Sequence, residues 1–348
     1  MFRRCPSRID SPTRRYCAVT RDDGDRSASR NDDGHAPVRG TGTSRNRLAV
    51  AAAMAILCLL WIDAPQAEVV PQVAALLRDT RLGEVSGMTL SARTPQRLWV
   101  HNDSGAPADV YAIGLDGRVQ ARLRIDGPKP VDWEDIAAFT LDGKPYLLLA
   151  DTGDNGGVRK RSELLIVEEP DIRADAAEQE LRAAAAWRIA FRYADGPHDV
   201  EAVAVDAANE TVLLMTKRTD PPQLWSLPLR PGTSQEIVAT RLGTLAVPDE
   251  SAPATDFQRR LQPGRPTAAS WGRDGRHIAV LSYASVWLYR RDDGESWAQA
   301  LARTPRMFPL GLLVQAEALA LDTAGNRIFV TGERWPAPLL RIDLPAEP

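Results

Sequence analysis

From residue 84 onward, short apolar runs alternate with clusters of Gly, Asp, Asn and Ser at a strand-like spacing. Five segments share one pattern: a strand opened by an acidic or small residue, a turn, then a more apolar strand ending in polar residues. The first runs from Glu84 (EVSGMTLS) through a turn at 92–96 to RLWV and His101-Asn102-Asp103. The second opens at Trp133-Glu134, turns at Asp142-Gly143 and runs through YLLLA into Asp151-Thr152-Gly153-Asp154-Asn155. The third opens at Val200-Glu201, turns near Asn209 and ends at Thr216-Lys217-Arg218. The fourth opens at Thr267, turns at Asp274-Gly275 and ends at Ser282-Tyr283. The fifth opens at Ala316-Glu317, turns at Gly325-Asn326 and ends at Thr331-Gly332-Glu333-Arg334.

A third strand follows each pair: VYAIGL, LLIVEE, LWSLPL, VWLYRR and LLRIDL. A weaker fourth follows in the first four units, at QARLRI, WRIAFRY, EIVATRL and Trp297 (WAQALAR). Residues 174–186 (ADAAEQELRAAAA) read as an insertion helix or a long surface loop, and 246–263 as a second excursion. Four antiparallel strands recurring at a regular interval describe blades of an all-β propeller. Five blades are expected, or six if 244–266 hides a degenerate one. The fifth unit has only three strands, so the segment around Val73–Asp79 is expected to supply its outer strand and close the ring.

Before residue 68 this pattern is absent. Residues 48–62 form an uncharged apolar stretch preceded by Arg45 and Arg47 and followed by DAPQA. Fifteen residues span only about 22 Å as a helix, short for a bilayer core. The expectation is a signal peptide over 44–67, or an uncleaved anchor, and therefore a periplasmic or secreted domain at 68–348. Residues 1–43, rich in Arg, Asp, Ser and Gly, read as a disordered extension or as sequence preceding a later translation start.

Charge sharpens this division. The net charge of −3 over 348 residues sums residues 1–67, with 11 Arg against 7 Asp, and residues 68–348, with 32 basic and 39 acidic residues. The second part, at net −7, offers no field for a nucleic-acid backbone. All three cysteines (Cys5, Cys17, Cys58) precede it, which excludes disulfides, thiolate metal sites and a cysteine nucleophile from the domain. Insertion into a membrane is expected only of the N-terminal segment.

In a propeller blade, the start of the innermost strand and the end of the second lie at one rim. Glu84, Glu134, Glu201 and Glu317 occupy the former position. His101, Asn102, Asp103, Asp151, Asp154, Asn155, Lys217, Tyr283, Glu333 and Arg334 occupy the latter, and His198 precedes the third inner strand. Asp and Asn after a strand are ordinary turn residues, whereas recurrent Glu is not explained by turns. Buried carboxylates there need a cation, met by Lys217, Arg334 or a bound metal. Glu134, Asp151, Asp154, Asn155, Glu201 and Glu317 are the candidate metal ligands, and oxygen donors point to calcium. The loop DTGDNGG from Asp151 has oxygen donors at near-alternating positions that could fold around calcium, but taken alone it reads first as a hydrogen-bonded structural loop. His101, His198, Asn102, Asp103, Lys217, Tyr283, Glu333 and Arg334 are the candidate ligand-binding rim.

The segments VDWEDIA, DTGDNGG, HDVEAVAVD with MTK, and QAEALALD with VTGER resemble secreted bacterial propellers of the NHL-like and phytase-like group. That resemblance implies the fold over most of 83–344 and, in its hydrolytic relatives, calcium held by acidic residues at the channel mouth. It would implicate Glu134, Glu201, Glu317 and the Asp151 loop. Lysine is scarce at this rim, which argues against a polyphosphate substrate. The expectation is an exported binding module for a small ligand, a cation such as calcium or an envelope component. The alternative is a calcium-dependent phosphoesterase or lactonase built on the same carboxylates.

Overall fold

The computed structural model describes residues 69–173, 177–232, 236–248, 264–311, 313 and 315–345. The segments read as a signal peptide and an N-terminal extension, and most of the 246–263 excursion, lie outside the described residues. Ala67–Pro348 is one compact unit.

Among the described residues, twenty-two strands form five sheets. The chain enters through β1 (Gln72–Leu77) and then builds blade 1 from β2 (Val85–Leu90), β3 (Arg97–Asn102), β4 (Asp109–Gly114) and β5 (Val119–Asp126). Blade 2 holds β6 (Trp133–Leu141), β7 (Lys144–Asp151), β8 (Ser162–Glu168) and β10 (Trp187–Arg192). Between β8 and β10 the chain crosses back to blade 1, where β9 (Gln179–Ala184) lies parallel to β5. Blade 3 holds β11 (Val200–Asp206), β12 (Thr211–Thr216), β13 (Gln223–Pro228) and β15 (Thr240–Thr244); the short β14 (Ile237–Val238) instead extends blade 2. Blade 4 holds β16 (Ala268–Trp271), β17 (His277–Leu281), β18 (Ser285–Arg290) and β19 (Arg306–Pro309). Blade 5 holds β20 (Ala316–Leu321), β21 (Arg327–Gly332) and β22 (Ala337–Asp343), with β1 paired antiparallel to β22.

The architecture is the expected five-bladed propeller. Its core lies between blades. Each of five apolar clusters joins two neighbours, as where Phe139 and Phe191 of blade 2 meet Val203 and Trp225 of blade 3. Inner and second strands are accordingly buried on both faces, which is why they read as near-continuous apolar runs.

Two expected elements are different. Residues 179–184 form a strand, not a helix or loop, with alternating exposure along the open edge of β5. That edge offers a full ladder of backbone partners, which overrides the helical preference of its alanines. Conversely, Trp297 opens a helix, α1 (Trp297–Leu301), and β19 supplies the outer strand of blade 4. Ser296 and Gln299 form a reciprocal capping box, and Trp297 and Leu301 are buried.

Candidate metal centre

The glutamates are set by a repeated backbone irregularity. In β6, β11 and β20 the ladder skips one residue, and the skipped residues are Glu134, Glu201 and Glu317. A bulged residue leaves the ladder and its side chain is re-aimed. In β2 the same bulge falls at Ser86, so Glu84, exposed and two residues earlier, does not share the glutamate phase. Blade 4 has no register shift along β16, and its inner strand carries alanines there. The three bulged glutamates are each at most 5 % exposed.

Below the mouth, Asp135 ties three blades together. Its carboxylate accepts from the backbone N–H groups of Ile136 at 2.8 Å, Val203 at 2.8 Å and Ala269 at 3.0 Å. Burial nevertheless pushes its carboxyl well above the usual range.

Two groups of carboxylates meet in the mouth: Asp103 with Asp132 and Glu134, and Glu134 with Asp199 and Glu201. Within each group, one oxygen from each residue lies within 4.8 Å of the others. Glu134 belongs to both. Its carboxylate has no hydrogen bond and no ion pair among the described residues. Burial, then the charges of Glu201, Asp132 and Asp103, push its carboxyl well above the usual range. Asp132 is pushed up to about 6 by burial and by Asp103 and Asp199.

Glu201 and Glu317 form the other side. The Lys217 ammonium contacts Glu201 directly and lies 5.0 Å from the centre of the Tyr283 ring. Burial disfavours the Lys217 charge, yet Glu201 and Glu317 hold its pKa well above the ordinary value. Burial likewise raises Glu201, against the opposing pull of Lys217. Glu317 is pushed up to about 7 by burial, with Lys217 pulling it down and Glu333 pushing it further up.

The remaining rim candidates divide. Asp103 joins the first carboxylate group, and Tyr283 faces Lys217 and Glu317. Glu333 and Arg334 are joined through Gln315, whose Nε2 donates to Glu333 at 2.6 Å and whose Oε1 accepts from Arg334 at 2.7 Å. Asn102 is engaged in the turn, donating to the Arg81 carbonyl at 2.7 Å. His101 is fully buried, packed edge-on against Trp133 at 5.5 Å and over Gly87. Burial lowers its pKa, so it is neutral there. His198 contacts Asp195 at 2.8 Å and packs on Tyr193 and Trp225, so the two histidines are not brought together as a pair.

Asp151 and Asp154 use their oxygens on backbone N–H groups and on Arg159. Asp151 accepts from the N–H groups of Val131 and Asp132, each at 3.0 Å, and pairs with Arg159 at 2.7 Å. Asp154 accepts from Val158 at 2.9 Å and Arg159 at 2.8 Å, and Asn155 contacts Arg218. Neither aspartate belongs to the carboxylate groups of the mouth. The loop delivers Gly153 instead, whose backbone lies against the carboxyls of Glu134 and Asp132.

Asp132 and Asp199 are absent from the candidates drawn from sequence. Their signal is a repeated Asp-x-Glu, Asp132-Trp133-Glu134 and Asp199-Val200-Glu201, in which the bulge brings residues two apart to one cavity. Both Asp199 oxygens already accept a hydrogen bond, Oδ2 from Arg218 at 2.6 Å and Oδ1 from the Asp154 N–H at 2.7 Å.

The fold and this mouth define a five-bladed propeller with an acidic channel entrance. Protein-family models and curated proteins yield no match to the chain, so neither comparison supports the NHL-like or phytase-like grouping.

Proposed function

We propose that the channel mouth binds a hard divalent cation, calcium before others, and that the propeller serves as an exported binding module. The reading is carried by Glu134, a buried carboxylate with no donor, facing further carboxylates on two sides. Ionising a buried carboxyl of this kind costs several kcal/mol, which is what raises Glu134, and a cation between the carboxylates offsets that cost. The donors are all oxygen, with no thiol and no available imidazole among them, which suits calcium or magnesium rather than zinc or copper. Glu134, Asp132 and Asp103 would hold the ion, with Glu201 and Asp199 completing the shell from blade 3.

Thermal unfolding of the metal-stripped protein, with and without calcium, tests this reading. Saturation to one hundred times Kd stabilises by about 2.7 kcal/mol, a rise of several degrees. The rise is expected in the native chain and absent in Glu134→Gln. No rise in the native chain sinks the proposal.

A hydrolytic reading draws on Glu317, whose carboxyl at about 7 lies in the range that suits a general base at neutral pH. Turnover of phosphoester or lactone substrates that requires calcium and is lost in Glu317→Gln would favour it. No turnover in the metal-loaded protein leaves the binding module.

A further inference from the structure

We propose that the rim of blade 2 carries a second site, a cationic groove for a small organic polycarboxylate. Two cavities, of about 220 Å³ and about 120 Å³, share Arg159, Arg161 and Ser162 in their walls. The larger adds Lys129 and Arg188, and the smaller adds Lys160 and Arg192. Six cationic side chains therefore line these two adjoining cavities, in a part of the chain whose net charge is −7.

The acidic groups in the walls do not balance them. Asp151 and Glu163 line the larger cavity, and among the described residues no acidic residue lines the smaller. Glu236 stands behind the groove, 3.3 Å from Arg161 and 3.5 Å from Arg192. Lys129 and Lys160 are exposed and form no ion pair among the described residues. The groove thus keeps a positive surplus that an anion would neutralise.

It is also built before any ligand arrives. Arg159 bonds the Asp151 carboxylate at 2.7 Å, the Gly153 carbonyl at 3.2 Å and the Arg161 carbonyl at 3.0 Å, bracing the loop that carries three of the cations. Arg188 is held by Glu163 at 2.9 Å. Side chains fixed in this way lose little freedom on binding.

The wall chemistry selects the class of anion. Four of the six cations are guanidinium groups; Arg159 and Arg188 are each held by their own carboxylate, whereas Arg161 and Arg192 share Glu236. The planar forks of these last two are therefore the ones to meet a ligand carboxylate two bonds at a time. Pro128, Pro130 and Leu165 give the larger cavity an apolar side for a carbon skeleton. Its size suits a molecule of a few carbons bearing two or three carboxylates, with the separated cations each meeting one. None of the six cations belongs to the carboxylate groups of the mouth, and the two lysines that supply the surplus do not touch them.

Calorimetric titration of the full chain with tricarballylate tests the proposal. The buffer is stripped of divalent cations over a chelating resin, because a soluble chelator is itself a polycarboxylate. Saturable binding is expected, weakened at least tenfold in Lys129→Glu/Lys160→Glu. A control of equal charge change on the opposite face, Arg118→Glu/Lys144→Glu, is expected to stay within twofold. Absence of binding by the native chain, or equal weakening by both double variants, would overturn the site. Tighter binding of pyrophosphate than of tricarballylate would overturn the carboxylate assignment.

Discussion

The backbone of Gly153 lies so close to Glu134 that a Cβ at position 153 would overlap Glu134 Oε1 and the Asp132 carboxyl. The Asp151–Gly157 loop therefore sets the positions of two proposed ligands without contributing one. Gly153→Ala should displace both carboxyls while the fold survives, since the atoms in the way are the ends of flexible side chains. Calcium affinity is expected to fall at least tenfold, with the metal-free melting temperature changed by only a few degrees. Calorimetry and thermal unfolding on one preparation check both halves.

The pH dependence of stability has a definite sign. Folding raises Asp132 to about 6 and Glu317 from 4.5 to about 7, both chiefly through burial. Between the unfolded and folded values the native state binds more protons, so its stability falls as pH rises. Glu317 alone accounts for on the order of 3 kcal/mol. Below about pH 4 this term is constant, and there Asp109 acts oppositely: despite its burial, Arg124 and Arg122 hold it low. Metal-stripped protein is therefore expected to melt at a lower temperature at pH 8 than at pH 5, and saturating calcium should reduce that difference. A metal-free melting temperature that rises across this interval would contradict the assignment.

Lys217 neutralises the Glu201 side of the mouth and so competes with a cation for it. Lys217→Met leaves Glu201 buried without its partner, a loss of about 3–5 kcal/mol in the metal-free protein. The same change frees carboxylate oxygens, so calcium affinity should rise and calcium should restore much of the lost stability. Chemical denaturation with and without calcium separates the two effects.

Asp135 carries a structural prediction with no metal in it. Asp135→Ala would leave the N–H groups of Ile136, Val203 and Ala269 without an acceptor in the fully buried centre of three blades. Each buried unsatisfied donor costs about 1–3 kcal/mol, so this variant should not accumulate as folded protein. Asp135→Asn keeps one oxygen for Val203 and Ala269 and should fold with reduced stability. Circular dichroism and urea denaturation distinguish the two.

The blades were legible because strands packed on both faces write themselves as apolar runs between turn residues, as in Leu213–Met215 and Ile278–Leu281. The glutamate recurrence was legible for a related reason, since Glu134, Glu201 and Glu317 interrupt such runs where no turn requires them. The bulges were not, because a skipped ladder position depends on the partner strand. That is why Glu84 looked equivalent to the other three, and why Asp132 and Asp199 passed as loop residues. Gln179–Ala184 was hidden for the same reason: its pairing along β5 lies more than fifty residues away in sequence. The Asp151 loop looked like a cation site because its composition is the same whether its oxygens face an ion or backbone N–H groups.

The central claim is that Glu134 anchors a cation. An anomalous difference map from a calcium-soaked crystal of the full chain tests it most directly. The expected result is a single peak in the mouth, about 2.3–2.6 Å from oxygens of Glu134 and at least two of Asp132, Asp103, Asp199 and Glu201. A mouth without a peak at saturating calcium, or a peak confined to the Asp151–Asn155 loop, would contradict it.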